Sequence, residues 1–275
     1  MSVVPFALEG FEMNPFTTST GRTRDVYRTG HGPAVIIIHE IPGITPLVAA
    51  FARKVADRGM TAVLPSLLGT AGRPMTVPYA LSSLARTCVS KEFTLLALNK
   101  TSPIVDYLRE LAVHEREAHG GPGVGAVGMC LTGGFALAMS VEPSVIAPVV
   151  SQPSLPLPTN PDHRRALGLS DADLAVVQRR ASEGLCVMGL RFSGDKKSPT
   201  ERFARLRETL GDSFMSVEID SSPGNPWGYK SSAHSVLTED YSDELTSPTR
   251  RALDGVLDFL ASRLGVEPDR SSPEG

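Results

Sequence analysis

Val124-Gly125-Ala126-Val127-Gly128-Met129-Cys130-Leu131-Thr132-Gly133-Gly134 runs an apolar strand straight into a tight turn. Glycines flank a cysteine there, and a helix start built of small residues follows. This is the layout of a nucleophile elbow, with sulfur in place of the usual serine oxygen. The turn is strained, so the residues around the nucleophile have to be small, a need that Gly128 meets. Thr132 stands where glycine is more usual, and Gly133 comes one place later. The free N–H groups and positive dipole end of the following helix favour a thiolate and a developing oxyanion. Cys130 is the candidate nucleophile, and the Leu131 N–H the first oxyanion donor.

Outward from this segment the chain alternates short apolar runs with helical patterns. Val35-Ile36-Ile37-Ile38 is a continuous β-branched run, suited to a strand buried on both faces. Pro46 to Arg58 reads as a helix capped by Gly59, and Met60 to Leu64 as a strand. Leu67 to Val89, rich in Gly, Pro, Ser and Thr, reads as a long loop with at most a short helix. Phe93 to Leu111 carries helical pattern, broken near Ser102-Pro103. Val145 to Val150, Cys186 to Leu190 and Phe214 to Ile219 are strand candidates. Gly133 to Val141, Asp171 to Ser182, Pro199 to Leu210 and Pro248 to Leu264 are helical. Pro153, Pro156, Pro158 and Pro161 mark an ordered loop or lid. The pattern predicts a doubly wound, mainly parallel α/β sheet with helices on both faces, a single domain over 1–264 and a polar tail over 265–275.

Composition narrows the function. The chain has 275 residues, 41% hydrophobic, enough for one large core. Its 27 basic and 30 acidic residues give a net charge of −3 with no like-charge block, which argues against nucleic-acid binding. Cys88, Cys130 and Cys186 are too widely spaced for a disulfide framework, and no pair has metal-ligand spacing. There is no signal-peptide pattern near Met1 and no apolar run approaching the roughly 20 residues that span a bilayer. The expectation is a cytoplasmic protein, monomer or homodimer, without a metal or organic cofactor.

A nucleophile needs a base and an orienting acid, in the chain order nucleophile, acid, base. Only His163 and His234 follow Cys130. His163 comes too early, whereas His234 lies between the last strand candidate and the last helix. Asp195, in Ser193-Gly194-Asp195 after the preceding strand, is the candidate acid. Asp220, ending the last strand itself, is the competitor.

His39-Glu40-Ile41-Pro42-Gly43, the Cys130 elbow, Gly194-Asp195 and Ala233-His234-Ser235 resemble the marker segments of the dienelactone hydrolase family, in the same order, over roughly 34–264. The resemblance implies an α/β-hydrolase fold and cleavage of a small lactone or ester through an acyl-thioenzyme intermediate. It also implies a glutamate near the thiol that takes part in activating it; the matching residue is Glu40. A carboxylate there can accept the thiol proton. The Ile41 N–H becomes the second oxyanion donor, and His39 reads as a packing residue.

Departures fall on the pocket loops. Family members place an arginine four residues after the catalytic histidine to hold a substrate carboxylate; here that residue is Thr238. Ser66 stands where an acid often follows Leu64-Pro65. Arg86 and Lys91 are candidate cationic contacts, and Trp227 a candidate pocket residue. Leu67, Leu68, Val77, Leu155 and Trp227 suit a neutral, hydrophobic ester or lactone. The alternative is a non-catalytic binding or regulatory protein that keeps the fold. The two readings part on whether Cys130, His234 and Asp195 lie within reach of one another.

Overall fold

The computed structural model describes residues 6–89 and 102–267, the side chains of 86–89 excepted. Strands β1 (Glu12–Thr17), β2 (Thr23–Gly30), β3 (Ala34–Ile38), β4 (Thr61–Pro65), β5 (Val124–Met129), β6 (Val145–Ser151), β7 (Val187–Phe192) and β8 (Phe214–Ile219) form one sheet. Their spatial order is β1-β2-β4-β3-β5-β6-β7-β8. β1 and β2 pair antiparallel, β2 joins β4 antiparallel, and all later pairings are parallel.

The apolar runs explain the centre of the sheet. Every residue of β3, β4 and β5 is buried, because helices cover both faces. Along β3, Ala34, Ile36 and Ile38 join one core while Val35 and Ile37 join the other, the period-two alternation of a pleated strand. On the first side lie helices α3 (Pro103–His119) and α4 (Gly133–Met139), with α6 (Asp171–Ser182) and α7 (Thr200–Leu210). On the second side lie α1 (Pro46–Ala56) and α8 (Pro248–Leu264). Helices α2 (Val77–Val89) and α5 (Pro161–Arg165) sit within long connections.

Two elements differ from the sequence reading. The β1–β2 hairpin went unread because it lacks an apolar run; in β2 only Val26 is buried. The stretch read as loop from Leu67 contains α2, a 13-residue helix. Its Val77 and Leu81 point outward, 70% and 61% exposed, while Tyr79 is buried, so its pattern does not announce a core-facing stripe. Ser102-Pro103, where the sequence pattern breaks, begins a helix: the Ser102 hydroxyl accepts from the Ile104 N–H, and proline follows in the first turn. The helical pattern ahead of it, over 93–101, lies outside the described residues.

The hairpin is fastened to α3 by a buried charge. Glu115 is fully buried and takes Arg28 through contacts of 2.5–3.1 Å, with His119 at 3.2 Å on the same carboxylate. Removing one partner leaves an uncompensated charge in the interior. Glu115→Ala is expected to lower unfolding free energy by about 3 kcal/mol, measured by urea denaturation. A loss below about 1 kcal/mol, the range of a surface pair, would show that this contact does not hold the hairpin.

Candidate active site

The site gathers at the C-terminal ends of the parallel strands, where an open α/β sheet offers its crevice. β3 ends into His39 and Glu40, β5 into Cys130, β6 into the loop carrying Ser154, β7 into Asp195 and β8 into the loop carrying His234.

Cys130 takes φ 57°, a left-handed conformation that a side chain rarely adopts. Its neighbours explain how the chain tolerates it. A Cβ on Gly128 would stand 2.3 Å from the Thr132 carbonyl oxygen, and one on Gly133 2.7 Å from Pro153 Cα. Only glycine fits either place. Thr132, the departure noted above, is buried and serves as a stitch. Its hydroxyl faces the carbonyls of Met129 (2.8 Å), Ile38 (2.9 Å) and His39 (3.2 Å) and accepts from the Met129 N–H at 3.1 Å. It thereby ties the elbow to the end of β3.

His234 Nδ1 and Asp195 Oδ2 are 2.6 Å apart, and both residues are buried. Nε2, on the far side of the ring, is buried without a formed hydrogen bond, and the Cys130 sulfur lies near enough to raise the ring's affinity for a proton. Burial pushes the His234 pKa down, but Asp195 and the Cys130 sulfur outweigh it, so the imidazole is held well above its ordinary value. Asp195 moves the other way. Burial would raise it, yet His234 and the amides of Lys197 and Ser198 bring it below the ordinary carboxylate value. The competitor Asp220 is exposed and bonds to Ser222 N–H at 2.9 Å, not to His234.

Both partners are fixed from behind. Buried Arg191 donates to the carbonyls of Ser198 (2.9 Å) and Ser193 (3.0 Å) and pairs with Glu218, which shapes the Asp195 loop. Asp240 accepts the His234 and Ser235 amides at 2.8 and 2.9 Å. Sequence reasoning missed Arg191, Asp240 and Ser154, because none falls in a marker segment. A charged residue inside the apolar run of β7 was the one available signal, for Arg191.

Glu40 lies in the same cluster but does not bond to the thiol. Its carboxylate accepts from the Ser235 hydroxyl at 2.8 Å and from the Thr238 hydroxyl, and among the described residues no hydrogen bond joins it to sulfur. Thr238 thus replaces an arginine with a hydroxyl facing Glu40. Ile41 and Leu131 follow directly on Glu40 and Cys130 at adjacent strand ends. Trp227 is elsewhere: it lines a surface cleft with Val217, Asp220, Pro248 and Arg251, which includes none of Cys130, His234 and Asp195. It packs there because the β8–α8 loop folds back along the outer edge of the sheet. The backbone of Arg86 is in α2, but its side chain, and all of Lys91, lie outside the described residues. His163 is in α5, with its ring facing Thr159 at 3.0 Å and no hydrogen bond to Cys130 or Asp195.

His39 is the packing residue expected of it. Its Nε2 accepts the Leu67 and Leu68 amides at 3.1 and 3.3 Å, so Nδ1 carries the hydrogen, given to the Glu40 carbonyl at 2.9 Å. Complete burial lowers its pKa from 6.5 to about 4.

Among the described residues, no group of His, Cys, Asp and Glu has the makings of a metal site, and no helix is long and apolar enough to cross a membrane. The dienelactone hydrolase family model matches residues 23–262. The chain belongs to the dienelactone hydrolase family. It is an ester or lactone hydrolase of the α/β-hydrolase fold. No curated protein sequence matches it. Among solved structures it is similar to a Klebsiella pneumoniae protein provisionally assigned to the dienelactone hydrolases (16% identity, TM-score 0.60, 92% of this chain and 99% of that one). An esterase of Pyrococcus furiosus aligns at 11% identity and TM-score 0.60, over 96% and 97% of the two chains. The α/β-hydrolase GrgF of a Penicillium species aligns at 15% and 0.60, over 93% and 99%. At these identities the likeness speaks for the fold.

His39 makes stability fall in acid. Below pH 6.5 the unfolded chain binds a proton that the native ring refuses until about pH 4. The loss therefore grows from pH 6.5 down to 4 and amounts to about 3 kcal/mol. Denaturation curves at pH 7 and pH 4 measure it. An acid dependence identical in His39→Gln would remove this residue as a source.

Proposed function

We propose that this chain cleaves a small neutral ester or lactone with Cys130 as nucleophile, His234 as general base and acid, and Asp195 as the group that orients the imidazole. What supports this most directly is a sulfur on a strained left-handed turn beside an imidazole whose far nitrogen is held by a buried carboxylate at 2.6 Å. An imidazole held protonated beside sulfur favours a thiolate, the reactive form.

The thiolate attacks the acyl carbon, and the carbonyl electrons move to oxygen. The Leu131 and Ile41 N–H groups receive that oxyanion. Collapse breaks the acyl–oxygen bond, and His234 gives its proton to the departing alkoxide. In a lactone that alkoxide stays attached to the acyl group. Neutral His234 then takes a proton from water, whose oxygen attacks the thioester. The second collapse releases a carboxylic acid and returns the thiolate–imidazolium pair. Glu40 works one step back: by holding the Ser235 and Thr238 hydroxyls it anchors the histidine loop opposite Asp240.

A neutral substrate follows from the surroundings. A guanidinium clamp on a substrate carboxylate is absent at Thr238, and a hydroxyl already facing Glu40 does not replace it. The carboxylate that does face Thr238, Glu40, offers a substrate carboxylate no positive partner. Buried Leu67, Leu131 and Leu155 belong to the apolar cluster against which Cys130, Ile41 and Leu68 pack, a wall suited to an uncharged acyl group.

Cys130→Ala is expected to remain folded and lose activity on aryl esters by at least about 10³-fold. Retention of most activity in the folded variant would end the assignment, and mass spectrometry of a slow ester should find the acyl group on Cys130. For selectivity, kcat/KM for a neutral ester should exceed that for its carboxylate-bearing analogue by about tenfold or more, the effect of one lost charged contact. A preference for the anionic analogue would mean that a cation elsewhere holds the carboxylate, with Arg86 and Lys91 as the residues to substitute.

A further inference from the structure

Ser154 has no part in the triad, yet it touches the sulfur. Its hydroxyl lies 3.4 Å from Cys130 Sγ, and its backbone N–H donates to the Cys130 carbonyl at 3.0 Å. The side chain is 2% exposed, so water competes little for it. The loop is also fastened. Arg202, 1% exposed, donates to the carbonyls of Pro153 (2.7 Å) and Pro156 (2.5 Å), on either side of Ser154, and to those of Ala166 and His163 further along. A hydroxyl held this way is pre-organised toward the sulfur and not merely passing near it.

We propose that Ser154 is a positioning residue that donates its hydroxyl hydrogen to the Cys130 thiolate, stabilising the charge and aiming the sulfur before substrate arrives. The idea rests on the reading of Cys130 as nucleophile. Physically, a hydroxyl can give or accept a hydrogen, but a thiolate can only accept. With His234 carrying the proton, the Ser154 hydrogen has the sulfur in reach. The bond has two opposed effects. It raises the fraction of thiolate at neutral pH, and it makes each thiolate a weaker nucleophile, because basicity and nucleophilicity fall together.

That opposition separates the hydroxyl from a purely structural serine. Ser154→Ala keeps the backbone N–H bond to Cys130 and removes only the hydroxyl. The probe is an aromatic pyridyl disulfide: the thiolate attacks one sulfur, a mixed disulfide forms on Cys130, and the pyridine thiolate leaves with the electron pair. Cys130→Ala supplies the background from Cys88 and Cys186. In Ser154→Ala the pH midpoint of the reaction is expected to move up by about one unit, the worth of one hydrogen bond. The limiting rate above that midpoint should rise roughly threefold, so the two profiles cross. Ser154→Thr, which keeps a hydroxyl, should restore the original midpoint. A midpoint unmoved in Ser154→Ala, or moved equally in Ser154→Thr, overturns the proposal. The probe needs no ester turnover, so a shifted midpoint in a protein that cleaves no ester would sink the catalytic assignment and leave the Ser154–thiolate bond standing.

Discussion

The steric collision at the foot of the elbow governs the rest of the site. β5 is buried on both faces, so the chain has nowhere to broaden as it leaves the sheet. It reverses within one residue, and that residue, Cys130, takes the left-handed conformation. Such a backbone costs on the order of 1–3 kcal/mol and persists only where its surroundings over-determine it. Here they do: the Thr132 hydroxyl, the Ser154 amide and the two glycines that admit neighbouring backbone each constrain it. What the strain achieves is exposure of a sulfur that a regular helix start would tuck away.

The remaining parts are held by charged groups facing main-chain atoms. Arg191 fixes the turn bearing Asp195, Arg202 the loop bearing Ser154, and Asp240 the amides under His234. A buried guanidinium carries five donors and pays off its desolvation only when most find acceptors. Arg202 has four carbonyls, and its pKa is pulled down to about 10 by burial first and by the Arg164 charge second. Glu40 acts in the same way on hydroxyls rather than amides, which explains why it faces the histidine loop and not the thiol.

The central sheet was legible because each parallel strand is a short apolar run and each helix carries its own cap or stripe. Asp171 to Ser182 and Phe214 to Ile219 keep their bounds without change. Gly128 and Cys130 were legible because the elbow imposes residue size locally. The hairpin and α2 were not, since their burial depends on what packs over them and not on a pattern of their own. Partners at long range were the least legible. Ser154 is 24 residues from Cys130 and Glu40 is 195 from Ser235. Trp227 shows the converse error: an aromatic residue in the right loop lies against the outer edge of the sheet, because the loop's path is set by packing on β8 and α8.

The mode of attachment of the loop after β6 bears on how the enzyme can diversify. Every acceptor that Arg202 uses there is a main-chain carbonyl. A carbonyl is present whatever the side chain, so the clamp does not read the identities of residues 153–166. Apart from Ser154, whose hydroxyl faces the sulfur, and the buried Leu155, that segment can exchange its side chains in an evolving lineage, or in a designed library, without releasing the clamp. The protein thus separates the part that keeps its chemistry constant from a part that is free to acquire new substrates.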